Sequence, residues 1–395
     1  MRRVQLITNI PTPYRIPLLN ALARQLKSYD LHLNVLFGKL GYARRQWTVD
    51  MDACEFDYDV LASRTFEMKG SFEKTLFTYG GLFSYLDANA PDVVVVPGFS
   101  MATLQVWAYS YLRSLPYVIW TGSVEQTWDV QAHERTARSA SRTLLRKVLV
   151  RRAAGCVAYG SKARSYLLRL GAQPDTVRIG INTVDTEFFA AETRRLRTET
   201  NLPRERQRLL SVGYLTARKG TVNMLEAVKR VARERSDFVV DIVGDGDDRS
   251  RLEAFVKENG LSDYVRFHGY RQKEELPAFL ARSAGLLYAT NYDIWGLVLV
   301  EAMAAGLPVI ASIHAGATHD LIQEGTTGLA VDYSDPDQVA SKIHFILDHP
   351  EQAREIGENA CGFIREHATI ETSAAGFVDV ILKVIGQDVL AHQPV

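Results

Sequence analysis

Short apolar runs recur along the chain, and longer segments with helical spacing separate them. In the first half the runs are VQLIT (4–8), LHLNVLFG (31–38), DVVVVPG (92–98), YVIW (117–120), GCVAYG (155–160) and TVRIGI (176–181). In the second half they are RLLSVG (208–213), FVVDIVG (238–244), VRFHG (265–269), AGLLYA (284–289), LPVIA (307–311) and GLAVD (328–332). Between them lie stretches such as TVNMLEAVKRVARE (221–234), whose apolar positions follow a helical period. The runs are continuous rather than alternating, which predicts strands of parallel sheets covered on both faces. Repeated over two halves, the pattern predicts an α/β protein with two Rossmann-like doubly wound domains facing a cleft. The charge-dense, strandless stretch 182–207 marks the boundary. The expected domains are 1–190 and 205–372, with the last segment, 373–395, carrying the amphipathic SAAGFVDVILKVIG and packing back on the first.

Length agrees with two domains, since 395 residues exceed one ordinary core. A hydrophobic content of 47% excludes a disordered chain. Lys plus Arg and Asp plus Glu balance at 46 each, so no global charge draws the protein to nucleic acid. Cys54, Cys156 and Cys361 are few and far apart, which speaks for a reducing compartment and against a disulfide framework or a Cys-based metal site. No apolar run approaches the ~18 residues of a membrane span. MRRVQLITNIPTPYR has two Arg but no adequate apolar region for a signal peptide, so a cytoplasmic protein is expected.

In open α/β sheets, ligands bind beyond the carboxyl ends of the strands. The loops after VQLIT, YVIW, RLLSVG, FVVDIVG and AGLLYA are therefore the ones that matter. GYLTARKGTVNMLEAV (213–228) brings Gly213, Arg218, Lys219 and Gly220 to a helix start. Cations beside unpaired N–H groups and a positive dipole end make a diphosphate site, or else an ordinary basic loop. VGDGDDRSRLEAF (243–255) holds clustered carboxylates that suit Mg²⁺, but a tight turn followed by acids at a helix start is the favoured reading. DMD (50–52), DYD (57–59) and DPD (335–337) are read the same way, and no metal is expected. In NYDIWGLVLVEAMAAGLPVIAS (291–312), Asp293 falls in a loop and Glu301 inside an apolar helix that stops at Gly306. A carboxylate there needs a partner: either core N–H groups or an Arg, or the two hydroxyls of a ribose. HERTARSASRTLLRKVLVRRAAG (133–155) carries seven Lys or Arg between Arg135 and Arg152 with no acid among them. Its Leu144, Leu145, Val148 and Leu149 follow helical spacing. Such a helix either lies on anionic lipid at the inner membrane face or turns its apolar side to the core and its basic side to solvent. The second arrangement is favoured.

Three blocks in order, SVGYLTARKG, DIVGDGDDRSRLE and NYDIWGLVLVEAMAAGLPVIAS, resemble the retaining glycosyltransferases of family 4, which have the GT-B fold. IGINTVDTEFF (179–189) is similar to that family's interdomain block, and the likeness spans roughly 180–332. The resemblance implies a nucleotide-sugar co-substrate, UDP- or GDP-linked, with no other cofactor. It implies that Glu301 holds the ribose and that Lys219 holds the diphosphate. Tyr214 stands after Gly213 where the family often has Arg, and Arg218 supplies a guanidinium nearby. Asp293 replaces the first Glu of the family's paired acids, beside the donor sugar. The backbone N–H groups of Ile294, Trp295 and Gly296 would face the donor, and Tyr270 with Arg271 matches the base-contacting position. NIPTPYRIP (9–17) resembles the PxPYR variant of bacterial polysaccharide-synthesis transferases, with Arg15 reaching the donor phosphate or an anionic acceptor. YVIWTGSVEQTWD (117–129) lacks the His many members carry, leaving Glu125 to touch the acceptor; His133 reads as a surface residue. The implied reaction is metal-free, same-face sugar transfer to a glycan, lipid-linked or small-molecule hydroxyl. A sugar-nucleotide epimerase or hydrolase, and a non-catalytic donor-binding scaffold subunit, are the alternatives.

Overall fold

The computed structural model describes residues 2–41, 49–67, 75–124, 137–199 and 207–386. They form two compact units. The first takes the described residues up to Asn182 and those from Ile370 onward; the second runs from Thr183 to Thr369.

The first unit contains β1 (Arg2–Thr8), β2 (Leu31–Phe37), β3 (Asp57–Val60), β4 (Ser63–Glu67), β5 (Thr75–Tyr79), β6 (Val93–Pro97), β7 (Tyr117–Thr121), β8 (Gly155–Ala158) and β9 (Val177–Ile179). A seven-stranded parallel sheet has the order β3-β2-β1-β6-β7-β8-β9, and β4 pairs antiparallel with β5. The VVVV run of β6 shows why this sheet needs continuous apolar strands. Val93 and Val95 face one core, with Leu22 and Leu26 of helix Ile16–Lys27 and Phe377 and Ile381 of helix Ile370–Val384. Val94 and Val96 face the opposite core, with Leu86, Val106 and Leu167. Side chains alternate along a strand, so both faces of a doubly covered sheet must be apolar.

The second unit contains β10 (Arg208–Val212), β11 (Val239–Val243), β12 (Val265–Gly269), β13 (Gly285–Tyr288), β14 (Val309–Ser312) and β15 (Leu329–Val331). They form a parallel sheet in the order β12-β11-β10-β13-β14-β15. Buried Asp241 interrupts the apolar run of β11. Arg208 donates to it at 2.8 Å and the His268 ring lies 2.6 Å away, so the carboxylate is compensated from neighbouring strands. In both units strand order reverses beside the first strand: between β1 and β6, and between β10 and β13. At such a reversal the following loops diverge to opposite faces and leave a crevice for a ligand.

Several expectations change. Residues 183–190, assigned to the first domain from sequence, group with the second unit, because the chain crosses at Asn182 and helix Thr186–Glu199 packs on helices Leu276–Arg282 and Leu297–Ala304. The return to the first unit comes at Ile370, three residues before 373. DYD is no acid cluster: it forms the exposed edge strand β3, with Asp57 3.0 Å from His32 and Asp59 bonded to Tyr85 and Asn34. The β4–β5 hairpin has no counterpart in the runs read from sequence. Helix Ala137–Arg152 turns only the end of its apolar stripe inward. Leu149 and Val150 are buried, but Leu144 is 64% exposed, Leu145 41% and Val148 37%.

Candidate functional site

Two loops build the site at the switch point of the second unit. The first follows β10 and runs from Gly213 to the start of helix Thr221–Val231; the second follows β13 and ends at helix Leu297–Ala304. They are laced together. Asn291 N–H donates to the Arg218 carbonyl at 2.9 Å, Asn291 Nδ2 to the Ala217 carbonyl at 2.9 Å, and Arg218 Nη1 to the Tyr292 carbonyl at 2.8 Å. Neither helix start has a side-chain cap: each opens at a glycine with positive φ, Gly220 at 61° and Gly296 at 119°. Capless helix starts leave N–H groups for an anion.

Asp293 lies where the loops meet. Its Oδ2 accepts from Lys219 Nζ at 2.5 Å and from the Tyr288 hydroxyl at 2.6 Å, with Arg218 Nη1 at 4.0 Å. Its Oδ1 accepts from the Trp295 N–H at 3.2 Å. Burial pushes this carboxyl up, but the Lys219 charge and hydrogen bond, the Tyr288 hydroxyl and Arg218 outweigh it and hold the pKa at about 2. Asp293 is therefore an anion facing inward, both oxygens engaged by the protein. The tyrosine hydroxyl is pushed well up by burial and by the carboxylate, so it stays a donor.

Glu301 differs. It sits in the helix after Gly296, half-buried. Burial raises its pKa to about 7, against a weaker opposing pull from Lys273. Its charge adds a little to the rise of the Tyr288 hydroxyl, the group that holds Asp293. Among the described residues no hydrogen bond or ion pair holds its side chain.

The other sequence candidates gather at the rim. Gly244, which follows β11, lies so close to Gly213 that a Cβ there would strike the Gly213 carbonyl; its φ is 145°. Its N–H donates to Gly269 O at 2.8 Å, which brings the Tyr270–Arg271 turn alongside. Burial pushes the Tyr270 hydroxyl up, and the neighbouring Tyr214 adds to that shift. The Tyr270 hydroxyl reaches Gln272 at 3.3 Å, and Arg271 pairs with Glu275 at 3.2 Å. Ile294 is 42% exposed, and neither its N–H nor that of Gly296 has a hydrogen-bond partner among the described residues. Trp295 corrects the expectation for this loop, because its N–H is engaged by Asp293 and its ring is buried. Of the DGDD acids, Asp245 pairs with Arg249, Asp247 is exposed, and Asp248 precedes helix Arg249–Glu258 without capping it through its side chain. Asp335 of DPD caps helix Pro336–Asp348, and Asp337 pairs with Arg230. Glu125 and His133 lie outside the described residues. Arg15 lies in the first unit.

Sequence reasoning missed Tyr288, which bonds Asp293, Asn291, which laces the two loops, and Thr290, whose Oγ1 donates to the Arg218 carbonyl at 3.3 Å. Tyr288 ends an otherwise aliphatic strand, the one place where a hydroxyl in AGLLYA could reach the following loop.

Comparison with known proteins fits this geometry. The fold is the two-domain, Rossmann-like GT-B fold: Anabaena HepE in complex with UDP and glucose aligns with a TM-score of 0.73 at 16% identity, covering 97% of this chain and 100% of that one. Sucrose-phosphate synthase from Thermosynechococcus elongatus aligns with a TM-score of 0.71 at 20% identity, covering 98% of this chain and all of that one. Residues 192–362, which hold the whole site cluster, match the family described as Glycosyl transferases group 1. Two similar proteins come from Streptomyces kanamyceticus: alpha-D-kanosaminyltransferase, 30% identical over 58% of this chain, and 2-deoxystreptamine glucosyltransferase, 31% identical over 53%. The matched segment spans 59% and 55% of those relatives' own lengths.

Proposed function

We propose that the protein is a retaining glycosyltransferase. It moves a sugar from a nucleotide diphosphate, UDP or GDP, to a hydroxyl of a glycan, lipid-linked or small-molecule acceptor, without a metal ion. One observation carries this reading: Glu301, a half-buried carboxyl with no protein partner, stands beside a cation-rich, capless double helix start. A ribose diol satisfies the first with two hydrogen bonds, and a diphosphate satisfies the second. Lys219, Arg218 and the free N–H groups at Gly296 then stabilise the charge that grows on the departing nucleotide diphosphate.

The inward setting of Asp293 bears on mechanism. With Oδ2 shared by Lys219 and Tyr288 and Oδ1 on Trp295, it is poorly disposed to attack an anomeric carbon. A double displacement through this acid is disfavoured. Same-face attack fits better, with a donor phosphate oxygen taking the acceptor's proton. In that reading Asp293 positions Lys219 for the diphosphate.

The exposed leucines of helix Ala137–Arg152 add a place of action. Leu144, Leu145 and Val148, set among Arg142, Lys147 and Arg151 on a helix without acids, suit the surface of an anionic bilayer. No helix among the described residues is long and apolar enough to cross a membrane.

The test has two stages. Thermal-shift screening of UDP- and GDP-sugars identifies the donor, since a ligand at concentration [L] stabilises by RT ln(1 + [L]/Kd). Proton NMR of the product from an α-linked donor then gives the anomer. An α product supports the proposal, a β product overturns the retaining mechanism, and donor epimerised without acceptor overturns transfer itself.

A further inference from the structure

The first unit has a switch point of its own, between β1 and β6, and Arg15 lies beside it at the carboxyl end of the sheet. The side chain rises where β1, β7 and β8 end. Its Nη1 donates to Thr8 Oγ1 at 3.2 Å and its Nη2 to the Tyr159 hydroxyl at 3.0 Å. The guanidinium lies 4.5 Å over the Trp120 ring. No carboxylate pairs with it among the described residues. Its Nε is buried and unbonded. Two other polar atoms around it share that condition: Thr12 Oγ1, in a residue 5% exposed, and Trp120 Nε1, in a residue 2% exposed. The Arg15 N–H donates to the Thr12 carbonyl at 2.9 Å, so Thr12 is in the same turn. Helix Ile16–Lys27 starts at Arg15 with no side-chain cap and no acid in its first turn.

Each feature favours negative charge. Hydroxyls and a π-face orient a guanidinium but do not neutralise it. Burying an uncompensated cation is costly, and an anion arriving on the planar fork would remove that cost through charge-assisted hydrogen bonds. The helix N-terminus adds to the attraction.

We propose that this is a subsite for an anionic group on the acceptor, a phosphate ester or a carboxylate, so that acidic acceptors are selected over neutral ones. The assignment rests on the transferase reading. The same chemistry is carried by the donor's phosphates, and the experiment separates the two sources.

The full-length protein is titrated with inorganic phosphate, with tryptophan emission as the readout because Trp120 lies under the guanidinium. UDP and GDP binding is followed by thermal shift in parallel. Wild-type protein is expected to show saturable quenching. Arg15→Gln is expected to weaken phosphate binding by about tenfold or more, the loss of a charge-assisted bond, with nucleotide affinity within about twofold of wild type. Arg15→Lys keeps the charge without the fork and is expected to fall between; it serves as the second variant should Arg15→Gln fold poorly. Phosphate affinity unchanged in both variants overturns the site. Phosphate and nucleotide affinity falling together overturns the acceptor assignment in favour of the donor. Phosphate binding lost with Arg15 in a protein that transfers no sugar supports the subsite and sinks only the transferase reading.

Discussion

Replacing Glu301 with Gln separates stability from binding. The half-buried carboxyl has a pKa of about 7 in the folded protein against an ordinary 4.5. The folded state therefore holds the proton more tightly than the unfolded chain between those values. Stability falls as pH rises through that window, because the folded protein binds the extra proton there. A shift of about 2.5 units at 1.36 kcal/mol each costs the ligand-free protein about 3 kcal/mol once both states are ionised, near pH 8. Near pH 5 the same reckoning leaves about 1 kcal/mol. Glu301→Gln removes the ionisation and keeps the shape. It should stabilise the second unit at pH 8 by up to about 3 kcal/mol, and by about 2 kcal/mol less at pH 5. Urea unfolding of wild type and variant at both pH values gives the difference. A variant–wild-type difference that does not change with pH would refute the reasoning. The same variant should lose nucleotide-sugar affinity, since the neutral amide forms weaker bonds to the ribose hydroxyls than the carboxylate does. Donor binding should also weaken in wild type as pH drops below about 7, because the ligand requires the ionised acid. Calorimetry in buffers of different ionisation enthalpy would register the proton released.

Three further outcomes follow from the geometry. Tyr288→Phe removes a 2.6 Å bond to Asp293, which should cost about 1 kcal/mol and raise the carboxyl above its present value of about 2. That depressed pKa contributes stability above pH 3.8 that is lost as pH falls toward 2; the variant should narrow this window, and a carboxyl ¹³C titration unchanged from wild type would count against the network. Gly244→Ala puts a methyl into the Gly213 carbonyl at a φ of 145°, so the two loops must part; the second unit should lose about 2–4 kcal/mol in urea unfolding, with a matching fall in donor affinity. Replacing Leu144 and Leu145 together by Ser should reduce sedimentation with phosphatidylglycerol vesicles by about tenfold or more, whereas equal binding by variant and wild type would leave the helix as a solvated surface.

Much of this was legible in the chain. The runs VQLIT, DVVVVPG, RLLSVG and AGLLYA each became a parallel strand, because burial of both sheet faces demands unbroken apolar sequence. DYDV was not legible as a strand. An edge strand exposed on both faces has no apolar signature, only the backbone bonds of β2 beside it. The apolar spacing of Leu144, Leu145 and Val148 announced a helix but not its orientation, since a periodic stripe fits a core or a lipid surface equally well.

The acids of the site divide along the same line. Sequence alone determined that Glu301 lies inside an apolar helix, that Asp293 precedes it in a loop, and that Lys219 and Arg218 close the loop after β10. These facts depend on local pattern and on residue type. Only the tertiary structure decided the pairings. Lys219 and Asp293 are 74 residues apart and meet because strand order reverses between β10 and β13. Tyr288 reaches Asp293 only because Gly296 leaves room at its hydroxyl. In the first unit, Arg15 meets Tyr159 across 144 residues. Contacts of that range are set by sheet order and by the close approach of loops. No window of sequence contains both.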